Sequence, residues 1–227
     1  MIEGIFVEGL IFSIMVLGIL ISYRILDLAD LTCDGSYATG AAVATMCIVN
    51  GLGITVGLVL AFLVGVLCGM VTSAIHTKLK IPGLLASILT MTMLYSFNLR
   101  LNGKANIPLF SYDSLFSDIS ALLLMVAVVV GIKILMDLFL KTEVGYLLIA
   151  TGDNEALVRS LGENSNKYKI IGLMLANGLV ALSGSLMAQY QGFVDITMGA
   201  SIIVVALASI IIGETISKSS SFLSITT

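Results

Sequence analysis

Residues 35–77 read GSYATGAAVATMCIVNGLGITVGLVLAFLVGVLCGMVTSAIHT, a run of 43 positions without a single Asp, Glu, Lys or Arg. One helix of about 20 apolar residues already spans a bilayer core. The run is therefore long enough for two crossings, and Asn50-Gly51-Leu52-Gly53 supplies a turn between them. The first, residues 36–49, is short and rich in Ala and Gly, which fits a broken or partly re-entrant segment lined by protein. The second carries Gly53, Gly57, Ala61, Gly65, Gly69 and Ser73, a small residue at every fourth position. Such a stripe lets two helix backbones approach closely, within this chain or against a second copy, and it can also line a translocation path.

Composition extends this reading to the whole chain. Hydrophobic residues make up 58% and charged residues 11%, against about 25% charged in an average soluble protein. Mean hydropathy is +1.10. The chain reads as an all-α, polytopic membrane helix bundle forming one transmembrane domain over residues 1–227. With so few charges, the formal net charge of −3 says little about partners, and nucleic acid is not among those expected. The first apolar run follows Glu3 and Glu8, not a basic region, so residues 9–23 read as a retained span and not a cleaved signal. Further spans follow at residues 81–99, opening on Ile81-Pro82-Gly83, and at 119–140, 170–194 and 196–213, for about seven crossings. The span at 119–140 carries Lys133 and Asp137 four positions apart, able to neutralise each other or to serve a transport path. Cys33, Cys47 and Cys68 show no paired spacing and read as small packing residues.

Residues 150–170, ATGDNEALVRSLGENSNKYKI, form the one substantial polar island, inside a loop over 141–169. Asp153 is placed as an N-cap, Ala156, Leu157, Val158 and Leu161 are apolar, Glu155 and Arg159 stand four apart, and Gly162 is a stop. This predicts a short helix of about two turns whose apolar residues need a headgroup layer or a protein partner. With the N-terminus outside, seven crossings put Arg24, Lys78, Lys80, Lys141, Arg159, Lys167, Lys169 and Lys218 in the cytoplasm and only Arg100 and Lys104 outside. That distribution obeys the positive-inside rule and makes the island cytoplasmic.

Catalytic patterns are missing. His76 is the single histidine, at the edge of a span, so no histidine-based metal cluster can form. No Gly-rich loop ends in Gly-Lys-Ser/Thr, and neither Ser183 nor Ser185 has glycine two residues to each side, so ATP binding of that type and serine catalysis are not expected. An ion-coupled carrier would be expected to keep buried ionisable groups, for which Lys133 and Asp137 are the candidates.

Four stretches carry a resemblance: LDLADLTCDGSYATGAA at 26–42, IPGLLASILTMTMLYSFNLRLNGKANIPL at 81–109, ATGDNEALVRSLGENSNKYKIIGLMLANGLVALSGSLMAQYQGF at 150–193 and MGASIIVVALASIIIGE at 198–214. Together they resemble the permease subunit of bacterial binding-protein-dependent ABC importers, in the branched-chain amino acid permease-like group. The resemblance implies a type II ABC importer-like bundle in the bacterial plasma membrane. By it, Gly152, Asp153, Asn154, Glu155, Arg159, Leu161 and Gly162 belong to the coupling loop that docks on an ABC ATPase subunit. It further implies a second permease copy, identical or paired, and an extracytoplasmic substrate-binding protein. ATP would sit on the ATPase, with no cofactor on this chain, and the permease would do no bond chemistry. Amino acids lead as the solute, with sugars and nucleosides carried by related permeases. Members of the group continue with further membrane sequence where this chain ends thirteen residues after Glu214 in a Ser- and Thr-rich tail, which reads as a truncated end. An ion-coupled secondary transporter and a non-transporting membrane fragment are the alternative readings.

Overall fold

In a computed structural model describing residues 2–112, 115–116 and 120–216, the chain is a bundle of helices with one two-stranded ribbon. The helices are α1 (Ile2–Leu20), α2 (Thr32–Val49), α3 (Ile54–Lys78), α4 (Gly83–Asn102), α5 (Ala121–Leu140), α6 (Glu143–Asp153), α7 (Glu155–Ser160), α8 (Ser165–Gln191) and α9 (Ile202–Ile216). Strands β1 (Asn106–Pro108) and β2 (Phe193–Asp195) pair antiparallel, so the chain leaving α4 is tied to the chain leaving α8. Among the described residues five helices are long and apolar enough to cross a membrane: α1 with the turn that follows it, α3, α4, α5 and α8. Lys218 and the terminal KSSSFLSITT, like the start of the expected span at 119–140, lie outside the described residues.

Two expectations are corrected by the remaining segments. Residues 36–49 are not broken, because they belong to α2, one continuous helix of 18 residues. Its Ala, Gly, Ser and Thr content has another cause: α2 is buried on nearly every side, and small residues are what its neighbours leave room for. The expected span at 196–213 instead begins with a turn, and α9 starts only at Ile202. Asp34 sets this late start. Its carboxylate accepts hydrogen bonds from the backbone N–H of Ser201 and of Ile203, each at 3.0 Å, and so caps α9 from the side of α2. The far end of α9 is held by Glu214, 2.9 Å from Arg24. Arg24 stands in a π-helical turn, Ile21–Ile25, that extends α1.

The centre is the packing of α3 and α2 on α8. Gly57, Ala61, Gly65, Gly69 and Ser73 are buried, whereas Gly53 precedes the helix, exposed, with φ +91°, and takes no part in the packed stripe. A Cβ on Gly65 would lie 2.5 Å from both the Ala181 Cβ and the Asn177 carbonyl oxygen; one on Gly69 would strike the Leu173 carbonyl. The same contact recurs between α2 and α8, where Gly40 faces the Ala181 backbone and Gly184 the Tyr37 backbone. The stripe thus meets helices of this chain, and backbones touch where any larger residue would hold them apart. Cys33, Cys47 and Cys68 are buried free thiols. By contrast α5 touches the bundle mainly through α1 and exposes Leu123, Val126, Val130, Ile134, Leu135 and Leu138. Gly65→Val is expected to lower stability by at least about 1–3 kcal/mol, read as an earlier thermal transition in detergent. Gly131→Ala on α5, where nothing lies within 4 Å of the added Cβ, is expected to leave it unchanged. Equal transitions for both variants would refute backbone contact between α3 and α8.

Candidate functional site

The polar island folds as two helices, not one. α6 and α7 are separated by a single extended residue, Asn154, whose side-chain oxygen accepts from the Leu157 N–H at 3.1 Å. Asn154 is the N-cap, and Asp153, expected in that role, is the last residue of α6. Either side chain can cap a helix, but only position 154 has the extended backbone a cap needs. α7 is six residues long and ends at Gly162, whose φ of +85° favours glycine.

Charge inside the island is directed inward. Glu155 accepts from Lys169 and from the Ser165 hydroxyl, each at 2.9 Å, and pairs with Arg159, whose Nε also donates to Ser165 at 3.1 Å. Lys169 and Ser165 are on α8, so this cluster fixes α7 to the first turns of the longest helix. The hydrogen bond from Lys169, with those from Ser165 and Arg159, holds the Glu155 carboxyl down at about 2. Tyr168 donates to Glu163 at 2.8 Å, adding a second tie across the same turn. Of the apolar residues, Val158 is buried under the helix, while Ala156, Leu157 and Leu161 face outward, with Tyr146 of α6 also exposed. Leu161 is 69% exposed and Leu157 51%.

Gly152 is the second anchor. It lies in α6, and a Cβ there would run into the Ile25 carbonyl and the Leu26 backbone at the end of α1. The island is therefore seated on two elements at once, α8 through Glu155 and α1 through Gly152.

Further in, α2, α3 and α8 share a hydrogen-bonded cluster that sequence reasoning missed. Asn177 donates to Asp30 Oδ2 at 2.7 Å and accepts from Ser36 at 2.7 Å. Asp30 Oδ1 accepts from the Thr32 N–H at 2.9 Å, and the Thr32 and Thr72 hydroxyls are 2.8 Å apart. All five residues are buried. Asp30 reads in the sequence as part of a polar link; a lone Asn in a charge-free stretch of 25 residues was the available signal. The Lys133 and Asp137 pair, at 3.8 Å, lies instead on the partly exposed face of α5, and Lys133 borders a groove among α1, α5 and α9. The structure does not bring it near Asp30 or the island. His76 Nδ1 is 2.8 Å from the Ile81 carbonyl oxygen and so braces the α3–α4 turn. Among the described residues no three His, Cys, Asp or Glu side chains gather as a metal site.

What this arrangement can do is mechanical: a small, outward-facing apolar tip stands on a base that two long helices share. Glu155 is depressed below its ordinary 4.5, so its contribution to the α7–α8 junction is complete above that pH and lost as pH falls toward 2. Amide hydrogen exchange in α7, relative to the rest of the bundle, is expected to accelerate between about pH 4.5 and pH 2, and Glu155→Gln is expected to abolish the change. Asn177→Leu strands both the Asp30 and Ser36 partners and is expected to lower stability by at least about 1–3 kcal/mol. An unshifted thermal transition would show that these bonds do not hold α2 to α8.

Comparison with known proteins supplies the remaining finding. Residues 1–225 match the family described as branched-chain amino acid transport system / permease component. A tyrosine transport system permease protein of Clostridioides difficile (strain R20291) is 51% identical over 97% of this chain and 75% of its own length. A ribose import permease protein of Haemophilus influenzae is 26% identical over 94% of this chain and 66% of its own length. An autoinducer 2 import system permease protein of Yersinia enterocolitica is 27% identical over 77% of this chain and 50% of its own length. No solved structure matches the chain.

Proposed function

The chain belongs to the family of branched-chain amino acid transport system permease components, a family of transport subunits and not of enzymes, and from that premise we propose that it is the membrane subunit of an ATP-driven amino acid importer. Its α7 is the element that docks on a separate ABC ATPase. A substrate-binding protein delivers the solute from outside, and a second permease copy completes the path. The bundle lies in the bacterial plasma membrane with its N-terminus outside and α6 and α7 in the cytoplasm.

One observation carries the docking role: Leu157 and Leu161 are held out, exposed, on a short helix whose Glu155 is tied to Lys169 and Ser165 of α8. Glu155 and Arg159 then serve the stiffness of the stem, while the leucines meet the partner. Closure of paired ATPases moves α7, and the motion passes through Lys169 into α8 and through Gly152 into α1, two elements that pack on each other. An amino acid is the solute by likeness to the tyrosine transport system permease, which is twice as similar in identity as the ribose permease.

The test is co-purification and uptake with the cognate ATPase. Leu157→Asp combined with Leu161→Asp leaves the Glu155 cluster intact and is expected to reduce retained ATPase at least tenfold. L-tyrosine uptake into proteoliposomes is expected to need ATP and the binding protein and to be indifferent to a proton or sodium gradient. Uptake driven by such a gradient without ATP would make the chain an ion-coupled carrier instead. Full ATPase retention by the double variant would move the docking surface elsewhere.

A further inference from the structure

α4 faces its surroundings the other way round from α1 and α8. Those two bury Ile, Leu, Val and Met side chains, whereas the residues that α4 buries are Ala86, Ser87, Thr90, Asn98 and Asn102. Its large apolar residues, among them Leu84, Leu85, Ile88, Leu89 and Met93, are exposed. The polar side is turned onto α2 and α3, with Gly35 of α2 lying against Met91 and Leu94. Ser87 and Thr90 donate their hydroxyls to the Leu84 and Ala86 carbonyls of their own helix, at 2.8 and 3.0 Å. Further along, Asn98 Oδ1 and both amide atoms of Asn102 are buried without a hydrogen-bond partner. Among the described residues the other such atoms are Thr45 Oγ1, both amide atoms of Gln189, and one Glu214 oxygen that lies 2.9 Å from Arg24. Thr45, Asn98, Asn102 and Gln189 stand in the last turns of α2, α4 and α8, where the ribbon joins α4 to α8 and Ile48 packs with Ala188 and Leu109. The unpaired groups therefore share one end of the bundle.

We propose that α4 is the moving wall of the solute path: its outer half parts from α2 during the transport cycle, and the face carrying Asn98 and Asn102, dry in this structure, becomes wetted. The inference rests on the importer reading above and takes its orientation, with this end of α4 outside. A membrane helix that turns polar groups inward does so toward protein partners or toward water, and at Asn102 the partners are missing. Buried polar atoms left unpaired forfeit the bonds that water would give them, so the closed contact is strained where these amides lie. Opening it uncovers largely polar and small side chains, which costs little beside uncovering a large apolar surface. The chain around α4 has pivots for such a motion. At its start His76 Nδ1, 2.8 Å from the Ile81 carbonyl oxygen, fixes the turn from α3. At its end Gly103, with φ +64° and nothing within 4 Å of an added Cβ, separates α4 from β1, so α4 can tilt while the ribbon stays on α8.

The measurement is thiol accessibility in the complete complex of this chain with its ATPase and binding protein, held in nanodiscs and read peptide by peptide so that the buried native cysteines are told apart. Asn98→Cys and Asn102→Cys are treated with a membrane-impermeant cationic methanethiosulfonate, nucleotide-free and with ATP plus vanadate. Met93→Cys, on the exposed apolar face, is the control. Both asparagine positions are expected to label at least tenfold faster in one state than in the other. Met93→Cys faces lipid, where the reactive thiolate does not form, and is expected to stay unlabelled in both. Asn102→Leu strands no partner and is expected to keep or raise the thermal transition while reducing L-tyrosine uptake into proteoliposomes at least tenfold. Equal labelling at 98 and 102 in the two states, by a complex that hydrolyses ATP and takes up L-tyrosine, would overturn the moving wall and leave the importer reading standing. A lowered transition with native uptake in Asn102→Leu would show a structural amide and count the same way. A chain that retains no ATPase would overturn the importer reading, and the moving wall with it.

Discussion

Inside a bilayer, apolar side chains gain little by leaving lipid for protein, so helices stay together only where their backbones can come close and their polar groups can pair. α8 satisfies both conditions. Along one length it takes Gly65 and Gly69 of α3 and Gly40 of α2 against its own backbone, and between those contacts Asn177 reaches Asp30 and Ser36. Several further placements follow from α8: α1 crosses it at Gly18, α7 is bound to its start, and the ribbon is bound to its end. Enlarging the small positions therefore acts on the centre of the bundle, whereas α5, packed mainly on α1, has room for added carbons at Gly131.

Much of this was readable in the residue order. The charge-free run gives helices α2 and α3, and the four-residue recurrence gives the face of α3 that is buried, because both depend on local spacing. Gly162 and the Glu155 and Arg159 pairing were equally local. What failed to show depended on partners distant in sequence. Asp34 looks like part of a link but caps α9 from 167 residues away and so sets where that helix begins. α2 looks broken because its charge-free part is short and rich in Ala and Gly, yet those small residues serve close packing on neighbours that the order of residues does not name. Gly53 continues the periodicity and still falls outside the helix, since periodicity alone does not mark where the turn ends.

The polar island shows the same division. Its helical character and apolar residues are local, but which of them face outward is decided by Lys169 and Ser165, two positions of α8. Glu155, which a sequence reading singles out with Arg159, is tied to Lys169 and Ser165 of α8, while Leu157 and Leu161 stand exposed.

Gly152 against the Ile25 carbonyl has a consequence for stiffness. Most joints between a peripheral element and a membrane helix pass through side chains, whose rotamers yield and absorb displacement before the backbone feels it. Here peptide rests on peptide, with no rotatable atoms between them. The joint therefore lacks the compliance of a side chain, and a displacement of α6 at Gly152 bears directly on the backbone at Ile25 and Leu26.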